Sequence, residues 1–365
     1  MEHLLEVRSG PTNYACEYNI LQTLETKLQT GNIQKVLFVH GEKSLEVAKP
    51  YLPQFEYIEA LFTAYNGECS DTEITRISQF AVESNIEAVI GIGGGKVLDL
   101  VKSIGNKINL DTILIPTLAS TCAAWTPLSV IYDDNGAYVR YDIHHKSAWI
   151  TMIEPRILLN SPLNFLRAGI GDTLAKWYEG NALVERLEET SVCIDLAHLS
   201  AKQCKSVLIE NSMQALTDLE NGSWTNALKR VIETNIVTSG LVGGFGDQYL
   251  RIAGAHSIHN GMTKIPHTHH LLHGEKVAYG ILVQLVLENK FVELEQLLPF
   301  YQSVHLPSTL ADIGLTINQQ AELLQIAQFA VQPGEDIYLL FPNITVDEVL
   351  KAMTELESLT TNYVK

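Results

Sequence analysis

Apolar runs alternate with amphipathic stretches over the first third of the chain. After a short strand and a helix within residues 1–30, the apolar runs predict strands at 36–40, 55–61, 86–95 and 112–116. The amphipathic stretches between them predict helices at 42–52, 72–85 and 97–108. Strands that alternate with helices are typical of a parallel sheet with crossover helices.

After Pro116 this alternation ends. Turn residues such as those at 134–136 separate three further predicted strands, which lie at 129–134, 137–143 and 147–153. Pro155 and Pro162 then interrupt the pattern. We therefore expect an α/β domain over residues 1–160.

Beyond this interruption the apolar residues recur every three or four positions. Periodic stretches lie at 171–185, 191–212, 224–242 and 321–331. The pattern predicts an all-helical domain over residues 161–365. A ligand-binding cleft between two such domains is the usual arrangement.

The charge and the cysteines limit the kind of partner. The chain carries 42 acidic against 25 basic side chains, a net charge of −17, which argues against nucleic acid and anionic membranes. The five cysteines are scattered, odd in number and without a CxxC pair, as in reduced cytoplasmic proteins. The first ten residues are too polar for a signal peptide, and no apolar run approaches the ~20 residues of a membrane span. We expect a cytoplasmic protein that acts on a small molecule.

Half of the histidines lie within residues 247–280. This segment holds His256, His259, His267, His269, His270 and His273. The first two are three residues apart, as are the last two, and on helices this spacing puts each pair on one face. Gly261 and Pro266 between the pairs predict two helices whose histidines could face one point. A metal site requires this arrangement, whereas a solvated surface does not.

The same residues also have simpler interpretations. The histidines at 267, 269 and 270 lie in a polar stretch and could be solvated, and any other one could be a hydrogen-bonded core residue. Asp172 could cap a helix, and Lys176 could pair with it four residues later. Beside the histidines, however, the carboxylate would complete a set of three ligands. Two imidazoles and one carboxylate bind a divalent metal and leave a position open for substrate.

Two further segments follow predicted strands. Residues 91–96 form a glycine-rich turn into a helix, where backbone N–H groups and the helix dipole favour a phosphate; the alternative is a tight turn alone. Residues 116–127 supply small and hydroxyl side chains at the end of the next strand, which suits a ligand at the sheet edge. The alternative is an ordinary polar loop in which Trp125 packs.

Five motifs resemble, in order and spacing, the iron-containing alcohol dehydrogenase superfamily and within it the glycerol dehydrogenase branch. They are GIGGGKVLD, IPTLAST, GIGDTLAKW, AHSIHNGMT and LHGEKVAYG. The resemblance covers about residues 10–290, and as a set these motifs are highly specific. The stretches TCAAWTPLSV and AGIGDTLAKWYE are most similar to the bacterial hydroxycarboxylate dehydrogenases of this branch, which reduce 2-oxo acids with NADPH.

The resemblance implies both the fold and the site. The fold would be dehydroquinate synthase-like, with an α/β dinucleotide-binding domain followed by an all-helical domain that binds the metal and the substrate. A divalent metal, zinc or iron, would be bound by Asp172, His256 and His273, and His259 would lie near the substrate, where it could relay a proton. The implied contacts with NADPH or NADH come from Gly93, Gly94, Gly95, Lys96, Asp99, Thr117, Ser120, Thr126, Leu128 and Tyr132.

The chain departs from its relatives at three positions. Lys176 stands where four-ligand members have a histidine, so three protein ligands are expected, as in the zinc-using glycerol dehydrogenases; it could instead hold a substrate carboxylate. Cys122 replaces the substrate-binding aspartate of glycerol dehydrogenases. Gly41 replaces the aspartate that accepts from the ribose 2′-hydroxyl in NAD-specific relatives, and Lys43 is close enough in sequence to help hold a 2′-phosphate. The departures favour NADPH and a 2-oxo acid.

We therefore interpret the chain as a metal-dependent, NAD(P)-linked oxidoreductase that interconverts a small 2-oxo acid and its 2-hydroxy acid, and we expect a homo-oligomer. Glycerol dehydrogenase, or another small-alcohol dehydrogenase, is the alternative within the same class. A nucleotide-binding scaffold is the non-enzymatic alternative, although all three candidate ligands are present. A lyase similar to the dehydroquinate synthases would need several basic residues for a phosphorylated substrate, and few lie near these motifs.

Overall fold

A computed structural model describes residues 5–363 of the chain. Within them, an α/β unit comprises residues 8–162 and 222–224, and a helical unit comprises residues 5–7, 163–221 and 225–363. The main change of unit along the chain falls between Pro162 and Leu163. Residues 5–7 belong to the helical unit and residues 222–224 to the α/β unit, although the residues that follow each of them belong to the other unit. The hydrophobic pattern does not predict either of these two short segments.

Strands and helices alternate in the α/β unit. Its strands are β1 (Asn13–Cys16), β2 (Lys35–His40), β3 (Glu59–Ala64), β4 (Ala88–Gly93), β5 (Asp111–Pro116), β6 (Leu128–Tyr132), β7 (Tyr138–Ile143) and β8 (Ile150–Ile153). Its helices are α1 (Leu24–Thr30), α2 (Glu42–Ala48), α3 (Asp71–Glu83), α4 (Gly95–Ile108) and α5 (Pro155–Leu158), with 3₁₀ turns at Ile20–Thr23 and Lys49–Tyr51.

Six of the strands form one parallel sheet in the order β1-β8-β5-β4-β2-β3. Every residue of β4 is buried, as expected for a strand with helices on both faces of the sheet. Leu24, Phe38, Ile90 and Ile113 belong to the buried apolar cluster that joins strands to helices. The chain passes from β2 to β3 on one side and returns to β4 on the other, so the strand order reverses between β2 and β4.

Two strands differ in detail from the prediction. β3 begins at Glu59 and not at 55, because the Glu25 side chain accepts the backbone N–H groups of Glu56 and Tyr57 and keeps them out of the sheet. Of the three strands predicted after Pro116, β6 and β7 form a separate antiparallel hairpin, whereas β8 enters the parallel sheet between β1 and β5. β8 is buried at every position and β7 is not, which explains their different places.

The helical unit contains ten α-helices among the described residues. They are α6 (Leu163–Val184), α7 (Val192–Glu220), α8 (Asn226–Glu233), α9 (Ser239–Gly246), α10 (Gly254–Met262), α11 (His273–Leu287), α12 (Phe291–Val304), α13 (Gln320–Ala330), α14 (Ile337–Leu340) and α15 (Val346–Tyr363). A π-helical segment, Thr234–Thr238, joins α8 to α9, and 3₁₀ turns lie at Asp247–Tyr249 and Pro266–Thr268.

Glycines bring α6, α10 and α11 unusually close together. A methyl group on Gly274 would overlap the carbonyl oxygen of Ala168, and one on Gly171 would overlap the carbonyl oxygen of Gly274. A methyl group on Gly280 would likewise overlap the carbonyl oxygen of Ala255. Each contact includes a residue that directly precedes or follows one of the three predicted metal ligands. Close helix packing therefore brings those ligands together.

This architecture confirms the predicted fold class, a parallel α/β region followed by a helical region. Among residues 5–363, no helix combines the length and the apolar character that crossing a membrane requires.

Candidate active site

The three predicted metal ligands converge on one point of the helical unit. Asp172 lies in the middle of α6, His256 in the first turn of α10 and His273 at the start of α11. The Asp172 Oδ1 atom is 3.4 Å from Nε2 of His256 and 3.4 Å from Nε2 of His273. Asp172 and His256 are buried, whereas the His273 side chain is 44% exposed, so the cluster is open on that side.

The two oxygen–nitrogen distances leave room for a metal ion between the side chains. At 3.4 Å the oxygen–nitrogen pairs are longer than ordinary N–H···O hydrogen bonds. Ligand atoms that each lie ~2.05 Å from a tetrahedral zinc ion are about 3.3 Å from one another. Ligands in adjacent positions of an octahedron with bonds of ~2.1 Å would be closer, about 3.0 Å. The carboxylate and the imidazoles thus offer the donor atoms of a divalent metal site, and their ligand atoms all lie within 4.8 Å of one another.

The electrostatics of the cluster favour a cation. Burial by itself would raise the pKa of Asp172, but its interactions with His256 and His273 and the charge of Lys176 outweigh burial, and the pKa lies well below its usual value. Burial would lower the pKa of His256, but the carboxylates of Glu179 and Asp172 raise it to about 9. The negative potential that attracts a proton to this imidazole would also attract a metal cation.

Glu179 is a buried carboxylate that the sequence analysis missed. Its Oε2 atom lies 2.7 Å from Nδ1 of His256, so the imidazole donates on that side and presents Nε2 to Asp172. A signal was present in the sequence, because a residue seven positions after Asp172 lies on the same face of a helix two turns later.

His259 lies on the other side of the cluster. Its Nε2 atom is 2.9 Å from Nδ1 of His273, and its Nδ1 atom is 3.1 Å from Oδ1 of Asn260. The Asn260 amide donates to Glu335 at 2.9 Å. A chain of polar contacts therefore leads from His273 through His259 to Glu335, and the predicted proton relay through His259 stays a prediction.

Lys176 has a partner that the sequence did not indicate. It is buried one turn after Asp172 on α6, and its ammonium group donates to the carbonyl oxygen of Arg251 at 2.9 Å. Its predicted contact with a substrate carboxylate is not tested by this arrangement and stays a prediction.

Two local interpretations were wrong. Asp172 is not a helix cap, because α6 begins at Leu163, directly after Pro162, and Asp172 lies nine residues inside it. His270 and His273 do not share a helical face, because Leu272 has an extended backbone and α11 begins only at His273. His270 instead lies in the preceding turn, where its Nδ1 atom contacts the carbonyl oxygen of His267. The exposed residues 267, 269 and 270 agree with the solvated alternative.

In the α/β unit, two of the predicted cofactor residues, Gly41 and Gly94, follow the two strands between which the strand order reverses. Open α/β sheets bind ligands outside the carboxyl ends of their strands at such a point. Gly41 follows β2 and Gly94 follows β4. Ser44 joins the two strand ends, since its hydroxyl accepts the Gly41 N–H at 3.0 Å and donates to the Ile92 carbonyl oxygen at 2.8 Å. Lys43 is exposed in the first turn of α2.

The glycines of the glycine-rich turn allow close packing, and the helix that follows the turn begins without a side-chain cap. Side chains on Gly93 and Gly94 would overlap Val97 and Leu118, so tight packing alone accounts for these two glycines. Gly94 is the N-cap of α4 and offers no side chain to its first N–H groups. Those N–H groups can therefore face an anion, as the phosphate interpretation requires.

Lys96 and Tyr132, two predicted cofactor residues, lie side by side. The Lys96 ammonium group pairs with Glu68 at 2.6 Å and lies 5.1 Å from the centre of the Tyr132 ring. Burial, followed by the negative charges of Asp99 and Glu68, raises the pKa of Tyr132. The phenol therefore stays neutral.

Asp99, also predicted to contact the cofactor, belongs to a buried ion pair. Its carboxylate pairs with Lys102 at 2.9 Å and accepts the Val130 N–H at 3.0 Å. Lys102, which the sequence analysis did not consider, is 2% exposed and also donates to three carbonyl oxygens, those of Ala123, Thr126 and Leu128. It thereby fastens the segment after β5 to α4.

That segment carries the remaining predicted residues. The Thr117 N–H donates to the Gly93 carbonyl oxygen at 3.0 Å, so the segment begins beside the glycine-rich turn. The Thr126 hydroxyl and N–H both donate to the carbonyl oxygen of Cys122, which is half-buried. Ser120 is half-buried in the same segment. The Trp125 ring packs edge-on against Tyr14, and its indole N–H donates to the carbonyl oxygen of Ser9. These contacts agree with the alternative interpretation, in which Trp125 is a packing residue.

Comparisons with known proteins agree with this arrangement. A family model described as iron-containing alcohol dehydrogenase matches residues 11–152. The chain is 38% identical over 357 residues to hydroxycarboxylate dehydrogenase A of Escherichia coli (strain K12), a match that covers 97% of this chain and 98% of the relative. It is 35% identical over 300 residues to a glycerol dehydrogenase of Pseudomonas putida, with 81% of each chain covered.

A solved structure has the same fold over nearly the whole length. It is that of a probable glycerol dehydrogenase from Sinorhizobium meliloti 1021, with a TM-score of 0.87, 28% identity, and 98% of this chain and 99% of that chain covered. These relatives are named as dehydrogenases, and the family implies a nicotinamide cofactor and a divalent metal. The match to the Escherichia coli relative spans almost all of both chains, so the predicted resemblance is confirmed: the protein belongs to the iron-containing alcohol dehydrogenase family and is an oxidoreductase.

Proposed function

We propose that the protein interconverts a small 2-oxo acid and its 2-hydroxy acid by hydride transfer to and from a nicotinamide cofactor. The observation that carries the proposal is the cluster of Asp172, His256 and His273, whose ligand atoms all lie within 4.8 Å of one another. The cluster is open beside His273, and Lys176 is held by a backbone carbonyl and does not complete it as a fourth ligand. One position is therefore left for a substrate oxygen.

We propose zinc as the metal, because the 3.4 Å separations match a tetrahedral site better than an octahedral one. Bound zinc would serve as a Lewis acid that polarises the substrate carbonyl. The chain's own residues hold the ligand side chains in place, and His259 contacts His273 at 2.9 Å. That contact supports the proposal that His259 exchanges the proton that balances the hydride.

We propose NADPH as the preferred cofactor. Gly41 lies at the end of β2, beside the reversal of strand order, where an acidic side chain would accept from a ribose 2′-hydroxyl and repel a 2′-phosphate. A glycine does neither. The exposed Lys43, two residues later, supplies a positive charge on the first turn of α2.

Cys122 supports the proposed substrate class. Glycerol dehydrogenases are expected to carry an aspartate at this position, which would bind a polyol hydroxyl and repel a nearby carboxylate. Two unit charges ~4 Å apart repel by about 1 kcal/mol in water and about 4 kcal/mol at an effective dielectric of ~20. A neutral thiol removes this repulsion and offers little to a polyol. The 38% identity to a relative named hydroxycarboxylate dehydrogenase supports the same substrate class.

Glycerol oxidation is the second candidate function. A specific observation favours it, because relatives named glycerol dehydrogenase are 35% and 38% identical to this chain over 300 and 293 residues. We further propose a cytoplasmic location, which the scattered cysteines support, and a homo-oligomeric state.

The test compares the catalytic efficiency for 2-oxobutyrate and dihydroxyacetone, with NADPH and zinc, in the wild type and Cys122→Asp. We expect the wild type to prefer 2-oxobutyrate and the substitution to lower that ratio about 5-fold or more, the effect of 1 kcal/mol or more. Cys193→Asp, which adds the same charge to a half-buried cysteine on α7, is the matched control. The proposal is wrong if the wild type prefers dihydroxyacetone or if the two variants behave alike.

A further inference from the structure

Glu179 is fully buried on α6, two helical turns after Asp172. Its Oε2 atom lies 2.7 Å from Nδ1 of His256. Its Oε1 atom accepts the backbone N–H of Ala253 at 2.7 Å and that of His256 at 2.9 Å. Both carboxylate oxygens are therefore occupied, and all three contacts go to the beginning of α10.

The start of α10 depends on side chains from its neighbours. Its N-cap residue is Ala253, whose methyl group cannot accept a hydrogen bond. Glu179 accepts two of the N–H groups at this end, and the Gln284 side chain on α11 accepts a third, that of Ala255, at 3.0 Å. Both side chains cap the helix. The Glu179 carboxylate, by contrast, also contacts the imidazole of His256.

We propose that Glu179 is a positioning residue of the metal site: it accepts the Nδ1 proton of His256 and thereby directs Nε2 at the ion. This inference rests on the proposed metal site. Imidazoles that bind a metal through one nitrogen commonly donate the other N–H to a carboxylate, which fixes the tautomer and the ring orientation. Here the same carboxylate fixes the backbone of the ligand as well, because one of its oxygens accepts the N–H of His256 itself.

Glu179→Gln separates the two tasks of this side chain. The amide oxygen can still accept the backbone N–H groups of α10, but the amide nitrogen can only donate toward Nδ1 of His256. The ring proton must then move to Nε2, where it blocks the metal. Zinc affinity, measured on the full chain by competition with a chelator, should fall about 10- to 100-fold.

Gln284→Ala is the matched control. It removes a cap from the same end of α10 without touching a histidine, so thermal stability should fall while zinc affinity is unchanged. The inference is overturned if Glu179→Gln binds zinc as tightly as the wild type, or if Gln284→Ala loses as much affinity. A wild-type chain that binds no zinc would instead refute the proposed metal site itself.

A measurement on the unsubstituted protein decides the matter if Glu179→Gln does not fold. In the zinc-loaded wild type, nitrogen NMR of labelled histidine should show His256 protonated at Nδ1, with a proton that exchanges slowly with water. An unprotonated Nδ1 on zinc-bound His256 overturns the inference.

Discussion

Asp99 and Asp172 are both buried carboxylates on long helices, one in each unit, but their surroundings differ. Asp99 pairs with Lys102 at 2.9 Å and accepts a backbone N–H at 3.0 Å, both ordinary hydrogen-bond distances. Asp172 faces two imidazole nitrogens at 3.4 Å each. Burial dominates at Asp99 and raises its pKa, whereas the histidines and Lys176 overcome burial at Asp172 and lower its pKa.

The network of Asp99 holds parts of the α/β unit together, whereas the cluster of Asp172 is the predicted metal site. Around Asp99, Lys102 also donates to three backbone carbonyls, and the network fastens a loop to α4. Around Asp172, one imidazole nitrogen of His256 and one of His273 lie 3.4 Å from the same carboxylate oxygen, and the cluster is the predicted site of a divalent ion. Substitutions should therefore affect the two regions independently of each other.

Disrupting the network of Asp99 and Lys102 should have the largest effect on the free energy of unfolding. Lys102→Met leaves the Asp99 carboxylate buried without its partner, and the free energy of unfolding should fall by about 3–5 kcal/mol. Cofactor affinity should fall as well, because the segment after β5 loses its anchor, while zinc affinity should be unchanged. Chemical denaturation, cofactor fluorescence titration and zinc competition measure the three quantities.

The double variant Asp99→Asn/Lys102→Met is the control for this prediction. It removes the unpaired charge, so part of the lost stability should return. If the double variant is no more stable than Lys102→Met, the buried charge is not the cause. A parallel loss of zinc affinity would show that the two regions are not independent.

Adding a methyl group beside the cluster of Asp172 should have a smaller effect on stability but should specifically reduce metal affinity. Gly274→Ala places a methyl group against the carbonyl oxygen of Ala168 and forces α6 and α11 apart beside two ligands. We expect a loss of about 1–3 kcal/mol in the free energy of unfolding, with reduced zinc affinity and unchanged cofactor affinity. Gly243→Ala, on α9, where an added methyl group would meet nothing within 4 Å, is a control for the loss of a glycine alone. Normal zinc binding by Gly274→Ala would contradict the packing argument.

The smallest expected change concerns only the cofactor. Gly41→Asp should shift the ratio of catalytic efficiencies from NADPH toward NADH by about tenfold, or about 1.4 kcal/mol, because the new carboxylate repels a 2′-phosphate. Zinc affinity and stability should stay as in the wild type. Steady-state kinetics with both cofactors measure the shift. A wild type that already prefers NADH tenfold would contradict the account of Gly41.

The sequence predicted the strands and the helical region, because hydrophobic periodicity is a short-range signal. Local spacing indicated only two pairs of histidines, and the choice of Asp172, His256 and His273 came from the resemblance to a known family. The first residue of each helix was harder to predict from the sequence. Asp172 could be a cap by residue type alone, yet it lies nine residues inside α6, where the preceding Gly171 serves close helix packing.

Contacts between distant parts of the chain could not be predicted from local patterns. Lys102 lies three residues after Asp99, but its carbonyl partners come from a loop 21 to 26 residues later, which no periodicity indicates. Glu179 contacts His256 across 77 residues, although its helical spacing from Asp172 was a usable signal. The place of β8 between β1 and β5 likewise depends on long-range pairing.

The central claim is that Asp172, His256 and His273 bind one divalent ion on which turnover depends. Chelated, metal-free protein is dialysed against increasing zinc, and bound metal and turnover are measured on the same samples. We predict one zinc ion per chain, turnover that rises in proportion to occupancy, and neither binding nor turnover in His256→Ala. Full turnover in the metal-free wild type, or full zinc binding by His256→Ala, would contradict the account.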